Sequence, residues 1–270
     1  MVDVAVLDQL SVIALLLIVF IGLPHGALDG AIAMHLGAGR GIASVLQFLS
    51  LYLLCGVIVV LIWYNFSALS LLIFLMISML HFGWCDANSE ISSLFLIQII
   101  CHGGIVIFGI VFFHIDEVIP LFDILTQGNS NLPIQVSVYM FYGIIFFTVL
   151  YFIFIFKTQS SILRLIELSI IWLIVITFPP LLGFAVYFCF VHTARHVRNI
   201  WRKLEVVISP EVIMMQTSIL TLLSWLLGLA AYYGFDSGDF NTNIIRIVFI
   251  GLAALTVPHM ILVDVFFRNK

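Results

Sequence analysis

Charged residues are scarce in this sequence: lysine, arginine, aspartate and glutamate make up 9% of the 270 residues, whereas 63% are hydrophobic. A soluble globular domain contains roughly a quarter charged residues. Too little polar surface is present to cover a water-soluble particle of this size, so the solvent of this chain must be the lipid bilayer. The net charge of −4 and the lack of a long basic tract exclude nucleic acid as a partner.

The sequence also lacks a cysteine framework, because none of its four cysteines forms a CxxC pair. Single cysteines in apolar stretches are typical of small buried hydrophobes. No basic segment of a cleavable signal is present at the N-terminus, which carries Asp3 and Asp8 instead. Because no linker or low-complexity tract interrupts the chain, we expect residues 1–270 to form a single transmembrane domain.

Apolar runs long enough to cross a membrane recur along the whole chain. A spanning helix needs roughly 20 mostly apolar residues. On that measure the nine predicted spans cover about residues 8–29, 44–63, 66–83, 92–113, 134–156, 162–179, 181–203, 211–233 and 245–267. The predicted fold class is therefore all-α, a polytopic transmembrane helical bundle.

The distribution of basic residues predicts the orientation of these spans, because cytoplasmic segments are enriched in lysine and arginine. With the N-terminus outside and the C-terminus inside, the outer segments hold only Arg246. The inner segments then hold Arg40, Lys157, Arg164, Arg195, Arg198, Arg202, Lys203, Arg268 and Lys270.

Histidines lie where a membrane normally excludes them. In the predicted topology, spans one, three, seven and nine share one direction and bring His25, His81, His192, His196 and His259 to roughly one depth near the inner face. A lone intramembrane histidine more often packs than binds a ligand, but five at one depth favour a metal site. Neutral imidazoles suit zinc, copper, iron or nickel.

Two local patterns support a metal site. His192 and His196 are spaced i, i+4, which puts two rings on one face of a helix, one turn apart. An aspartate, Asp29, Asp86 or Asp264, follows three of the histidines by about one turn. These carboxylates either orient imidazoles from the second shell or only mark helix ends at the membrane surface.

The surroundings of the predicted ligands favour an apolar substrate. Six aromatic residues flank these ligands in the sequence and are candidates to line a substrate cavity: Phe82, Trp84, Tyr187, Phe188, Phe190 and Trp201. A metal in an aromatic cavity at membrane depth would meet lipid-dissolved molecules and O2, which suggests an oxygenase. Axial ligation of haem by two histidines stays an alternative.

Four motifs resemble the Brp/Blh family of prokaryotic β-carotene 15,15′-dioxygenases: PHGALD (24–29), HFGWCD (81–86), HTARHVR (192–198) and VPHMILVD (257–264). The resemblance implies an Fe(II)-dependent enzyme of the inner membrane that cleaves β-carotene with O2 into two molecules of all-trans-retinal. It implies that the product passes to a microbial rhodopsin. The iron ligands that it implies are His25, His81, His192 and His196, with His259 in reserve.

Other classes fit some of these observations. A membrane transporter of metal ions or protons can also hold intramembrane histidines, but it usually has a midplane site and internal repeats. A membrane diiron desaturase needs more histidine boxes than the single HxxxH present. A retinal-binding partner without catalytic activity would not need a histidine cluster.

Overall fold

A computed structural model describes residues 7–38, 41–87, 92–158, 162–234 and 239–267. Within these ranges all regular structure is helical and no strand occurs, which confirms the predicted all-α class. We number the helices in chain order as α1 Gln9–His35, α2 Ile42–Asn65, α3 Ser67–Asp86, α4 Leu94–Phe113, α5 Ile115–Thr126, α6 Asn131–Thr158, α7 Ile162–Thr177, α8 180–204, α9 Pro210–Gly234 and α10 Phe240–Met260 with its continuation Ile261–Phe267.

Seven of these helices are long and apolar enough to cross a membrane: α1, α2, α3, α4, α6, α9 and α10. Several such helices are compatible with a multi-pass membrane protein. The other two predicted spans are also helical, but α7 has only 16 residues, and α8 ends in the strongly basic segment Ala194–Leu204. The nine-span count and the orientation stay predictions. Three of the basic residues used for that orientation, Arg40, Arg268 and Lys270, lie outside the described residues.

The chain divides into two compact units. The first contains Leu16–Phe66 and Thr193–Lys270, and the second contains Leu7–Leu15 and Ser67–His192. The division falls between His192 and Thr193, inside α8. That the whole chain acts as one domain stays a prediction.

In the first unit, an apolar core joins the end of α1 to the basic part of α8, the start of α9 and the continuation of α10. Its buried members are Leu28, Ala31, Ile32, Ile200, Leu204, Ile213, Val263 and Phe267. Elsewhere in this unit, α2 packs closely on α10, since a Cβ added at Gly56 would lie 3.3 Å from the carbonyl oxygen of Ala254. Burial of this apolar surface fixes the helices that carry the histidines of the unit.

In the second unit, α3 and α4 cross at two glycines. A Cβ on Gly83 would overlap the backbone of Ile99, and a Cβ on Gly103 would overlap the backbone of Met79. Small residues let helix backbones approach this closely in a membrane. Gly83 and Gly103 therefore permit the close contact between α3 and α4.

The helices change their winding beside the histidines. A π-helical turn at Ile18–Gly22 precedes the tight 3₁₀ segment Leu23–Leu28 that contains His25. A second π-helical segment, Tyr187–Thr193, contains His192, and a third, Ile261–Phe267, begins just after His259. Departures from α-helical winding of this kind are frequent at functional sites.

Candidate metal centre

Three histidines of the first unit surround a common point. The ring centroids lie 5.5 Å apart for His25 and His196, 5.3 Å for His25 and His259, and 5.1 Å for His196 and His259. All three side chains are buried, with 3–8% of their surface exposed. We call these residues the three-histidine cluster.

The donor chemistry of this cluster suits a metal ion, and its ring centres are spaced as in imidazoles that share one ion. Imidazoles that bind one ion through bonds of about 2.1 Å place their ring centres roughly 4.5–5.5 Å apart for common bond angles. The rings are steeply inclined to one another, by 58–90°, so they present edges and not stacked faces. An all-imidazole donor set suits iron, zinc, copper or nickel.

A carboxylate orients one member of the cluster. Nδ1 of His259 lies 2.8 Å from Oδ1 of Asp29, and the hydroxyl of Tyr52 donates to Oδ2 of the same carboxylate at 2.8 Å. Because a carboxylate only accepts, Nδ1 of His259 carries the proton, and a neutral ring then has its lone pair on Nε2. A carboxylate behind the imidazole is the usual support of a metal-binding histidine.

His25 is held in the same manner by the backbone. Its Nδ1 donates to the carbonyl oxygen of Gly22, which again leaves the lone pair of a neutral ring on Nε2. The tight segment that begins at Leu23 includes Pro24 in its first turn, and proline fixes the backbone φ there. The local backbone thus sets the orientation of the His25 ring.

The second unit brings together the other two predicted ligands. The ring centroids of His81 and His192 lie 5.1 Å apart, and both side chains are buried. The sulfur of Cys85 lies within 4.8 Å of one ring nitrogen on each of these histidines, and these are the atoms that could bind a metal. This pair with Cys85 is a second group of potential metal ligands, and all three residues belong to the second unit.

Three of the predicted substrate-lining aromatics pack around this pair. Phe82 lies 4.6 Å from His192 between ring centroids, and Phe188 stacks on the same histidine with an interplanar angle of 11°. Tyr187 is fully buried and contacts Phe82. These side chains wall in His192 with aromatic surface.

The remaining three predicted aromatics lie elsewhere. Trp84 is 45% exposed and Phe190 is 56% exposed, and exposed aromatic side chains of membrane helices contact lipid. Trp201 packs against the apolar core of the first unit. A role for these three in lining a substrate cavity stays a prediction.

The aspartates that follow histidines in the sequence have different partners. Among the described hydrogen bonds, the histidine that Asp29 contacts is His259. It is not His25, which is nearer in the sequence. Asp86 accepts a hydrogen bond of 2.6 Å from the hydroxyl of Tyr187. Asp264 lies half-buried in Ile261–Phe267, and its predicted second-shell role stays a prediction.

A polar group that the sequence patterns miss lies in the second unit. One donor atom each from Asp86, His102 and Glu167 lie within 4.8 Å of one another. Arg164 forms an ion pair of 3.0 Å with Glu167, so a cation already balances part of the negative charge. Asp86 and His102 are buried, whereas Arg164 and Glu167 are partly exposed, so the group is a partly buried polar cluster with one ion pair.

An apolar cleft in the first unit leads to the three-histidine cluster. Its lining comes from α1, α2, α9 and α10. The residues are Leu23, His25, Gly26, Ala27, Phe48, Leu49, Tyr52, Leu53, Leu220, Leu223, Ser224, Leu227, Leu252, Leu255, Thr256 and His259. Two cluster histidines therefore contact a cavity suited to an apolar molecule.

Sequence patterns alone miss Tyr52 and Cys85 as neighbours of the candidate ligands. Tyr52 stands 23 residues after Asp29 in a uniformly apolar helix, so no spacing rule links the two. Cys85 lies one turn after His81, at i, i+4, a spacing that places both on one face of α3. That spacing is the signal by which Cys85 could have been found.

The comparison with known proteins agrees with the family suggested by the motifs. The family model described as "Beta-carotene 15,15'-dioxygenase" matches residues 16–267. The protein called "Beta-carotene 15,15'-dioxygenase" from an uncultured marine bacterium, 66A03, is 40% identical over 263 residues, covering 94% of this chain and 93% of that relative. No solved structure matches the chain. The predicted family and enzyme class are confirmed: the chain belongs to the β-carotene 15,15′-dioxygenase family.

Proposed function

We propose that this protein cleaves the central 15,15′ double bond of β-carotene with O2 and releases two molecules of all-trans-retinal. The relative that is 40% identical bears the name of this activity. The observation that carries the proposal is the three-histidine cluster, which lies buried at the end of an apolar cleft. A long hydrocarbon substrate needs an apolar path, and oxygen chemistry needs a metal or an organic cofactor.

We propose Fe(II) as the metal, held by His25, His81, His192 and His196, with His259 as a further ligand. The mutual distances of His25, His196 and His259 support their share of the site. His81 and His192 are included because the sequence predicts them as ligands. His192 precedes His196 by about one helical turn. Bound iron would supply the activation of O2 beside the double bond.

The protein residues hold and shield this chemistry. Asp29 and Tyr52 fix the ring of His259, and the carbonyl of Gly22 fixes the ring of His25. Burial of all three cluster histidines excludes bulk water from the reacting bond. The apolar walls hold the polyene, and its position against the cluster decides which double bond breaks.

The cellular setting follows from substrate and fold. β-Carotene and O2 both dissolve in the bilayer, and the length and apolar composition of α1 and α10, which carry His25 and His259, suit the same phase. We propose the bacterial inner membrane as the location of the enzyme. We further propose that the retinal product is passed to a microbial rhodopsin.

The direct test is product analysis with purified protein in detergent. Protein loaded with Fe(II) and given β-carotene in air should form retinal as the only cleavage product, and protein kept under nitrogen should form none. A shorter and a longer apocarotenal would contradict central cleavage. Equal retinal formation without O2 would contradict the dioxygenase chemistry.

A further inference from the structure

The apolar cleft of the first unit opens at the lipid-facing surface. Leu53 on α2 and Leu223 and Leu227 on α9 line the cleft, and all three are exposed. Both helices are long and apolar enough to cross the membrane, so these exposed leucines contact the hydrocarbon layer. A lipid-dissolved molecule can therefore enter from the side without crossing water.

The interior of the cleft presents almost no polarity to an occupant apart from the two histidines. The hydroxyl of Ser224 donates to the carbonyl of Thr221, and the hydroxyl of Thr256 donates to the carbonyl of Leu252. The hydroxyl of Tyr52 donates to Asp29. Since the protons of these hydroxyls are all donated to the protein, the cleft offers few hydrogen-bond donors to an occupant, which favours an unsubstituted hydrocarbon.

Gly26 lies between the cleft and the cluster. A Cβ added there would meet a single neighbouring atom, Nδ1 of His259, at 4.0 Å, which is ordinary van der Waals contact. By contrast, a Cβ at Gly30, one turn later, would lie 2.9 Å from Leu220. Close packing does not require glycine at position 26, and the missing side chain there leaves room in the cleft.

We propose that this cleft is the lateral path and binding site of the carotenoid, and that Gly26 keeps open the space in which its polyene passes the histidines. The inference rests on the proposed function for the identity of the occupant. It assigns a location and a clearance residue to substrate binding. These assignments are independent of which residues complete the iron site.

Two pairs of neighbouring leucines give matched variants for a test. Leu53 and Leu223 line the cleft, whereas Leu54 and Leu222 are also exposed, somewhat more strongly, and do not line it. Replacement by tryptophan at Leu53 or Leu223 should narrow the opening. The same replacement at Leu54 or Leu222 adds the same bulk on a surface that faces lipid.

The measurement is binding of β-carotene to iron-free protein, followed by its visible absorption, together with iron content after reloading. We expect Leu53→Trp and Leu223→Trp to weaken β-carotene binding by about tenfold or more, with Leu54→Trp and Leu222→Trp within about twofold of the wild type. Iron content should be unchanged in all four. Equal binding in all four variants, or equal loss in all four, would overturn the proposed path.

A graded series at Gly26 tests the clearance role separately. Binding of β-carotene should decrease from Gly26→Ala through Gly26→Val to Gly26→Leu, while iron content stays at the wild-type level. Wild-type binding by Gly26→Leu would remove Gly26 from the path. If the wild type binds β-carotene in the cleft but forms no retinal, the proposed activity fails and the cleft assignment stands. If the wild type forms retinal and the leucine variants do not differ in β-carotene binding, the cleft assignment fails and the proposed activity stands.

Discussion

Nδ1 of His259 lies 2.8 Å from Oδ1 of Asp29, although 230 residues separate the two in the chain. Both side chains are buried, at 4% and 0% exposure. The contact joins the last spanning helix to the first one within the same unit. It fixes the tautomer and direction of an imidazole that also lies beside His25 and His196.

Replacing Asp29 by asparagine should weaken metal binding without removing a ligand. The carboxylate holds the ring of His259 and fixes its tautomer, and loss of such a partner typically costs about 10- to 100-fold in metal affinity. Competition with a chelator of known affinity measures the effect. The matched control is Glu211→Gln on α9, an exposed residue of the same unit. Equal affinities for the two variants would contradict a positioning role for Asp29.

Replacing Tyr52 by phenylalanine should have a smaller effect of the same kind. Tyr52 acts through Asp29 by one hydrogen bond, so iron affinity should fall by less than it does in Asp29→Asn. The loss of iron-binding free energy in the double variant should be smaller than the sum of the losses in the two single variants, because the residues share one network. Tyr233→Phe, at a strongly exposed tyrosine of the same unit, serves as the control. Strict additivity would show that the two side chains act independently.

Alanine at Gly83 or Gly103 should destabilise the second unit. Either Cβ would overlap the backbone of the facing helix, and overpacking of a tight contact costs about 1–3 kcal/mol or more. Gly143→Ala in α6 is the control, since a Cβ there meets no neighbour within 4 Å and alanine favours a helix by up to about 1 kcal/mol. Thermal unfolding in detergent measures the difference. Unfolding temperatures equal to that of the control would argue against the close crossing of α3 and α4.

Aromatic residues near the histidines should separate into two classes. Trp84→Ala and Phe190→Ala remove exposed side chains, and such changes usually alter stability by less than about 0.5 kcal/mol. Phe188→Ala removes a buried ring that stacks on His192. The cavity that remains should lower the free energy of unfolding by about 3–5 kcal/mol. We therefore expect near-normal stability of the first two variants, in which a loss of retinal formation would support their predicted role in lining the substrate cavity, and a strong loss of retinal formation from the third. Chromatographic measurement of retinal per folded protein checks this order.

The sequence predicts the helices of this protein well, because a spanning helix needs a long apolar run and little else. The run at 44–63 indicates α2, observed at Ile42–Asn65. The basic end of α8 shows the limit of this criterion. Its segment Ala194–Leu204 is helical and strongly basic, and α8 is not among the helices that are long and apolar enough to cross a membrane.

The candidate site is predictable in its residue types but not in its partnerships. The motifs identify every member of the three-histidine cluster, including His259 as a reserve ligand. They show Asp29 one turn after His25 but do not say which imidazole its carboxylate contacts, and the described hydrogen bond of Asp29 to a histidine is to His259. That contact depends on how α1 and α10 pack, which no local pattern records. The hydroxyl of Tyr52 is missed for the same reason.

The most direct test of the account is the iron content of single-histidine variants. Purified wild-type protein should bind about one iron per chain, and His25→Ala, His196→Ala and His259→Ala should each retain less than about a tenth of it. His35→Ala and His114→Ala are matched controls, since His35 packs on Phe267 and His114 contacts the carbonyl of Val175. They should retain the wild-type iron content. Wild-type iron content in all three cluster variants would contradict the assignment of this cluster as the metal centre.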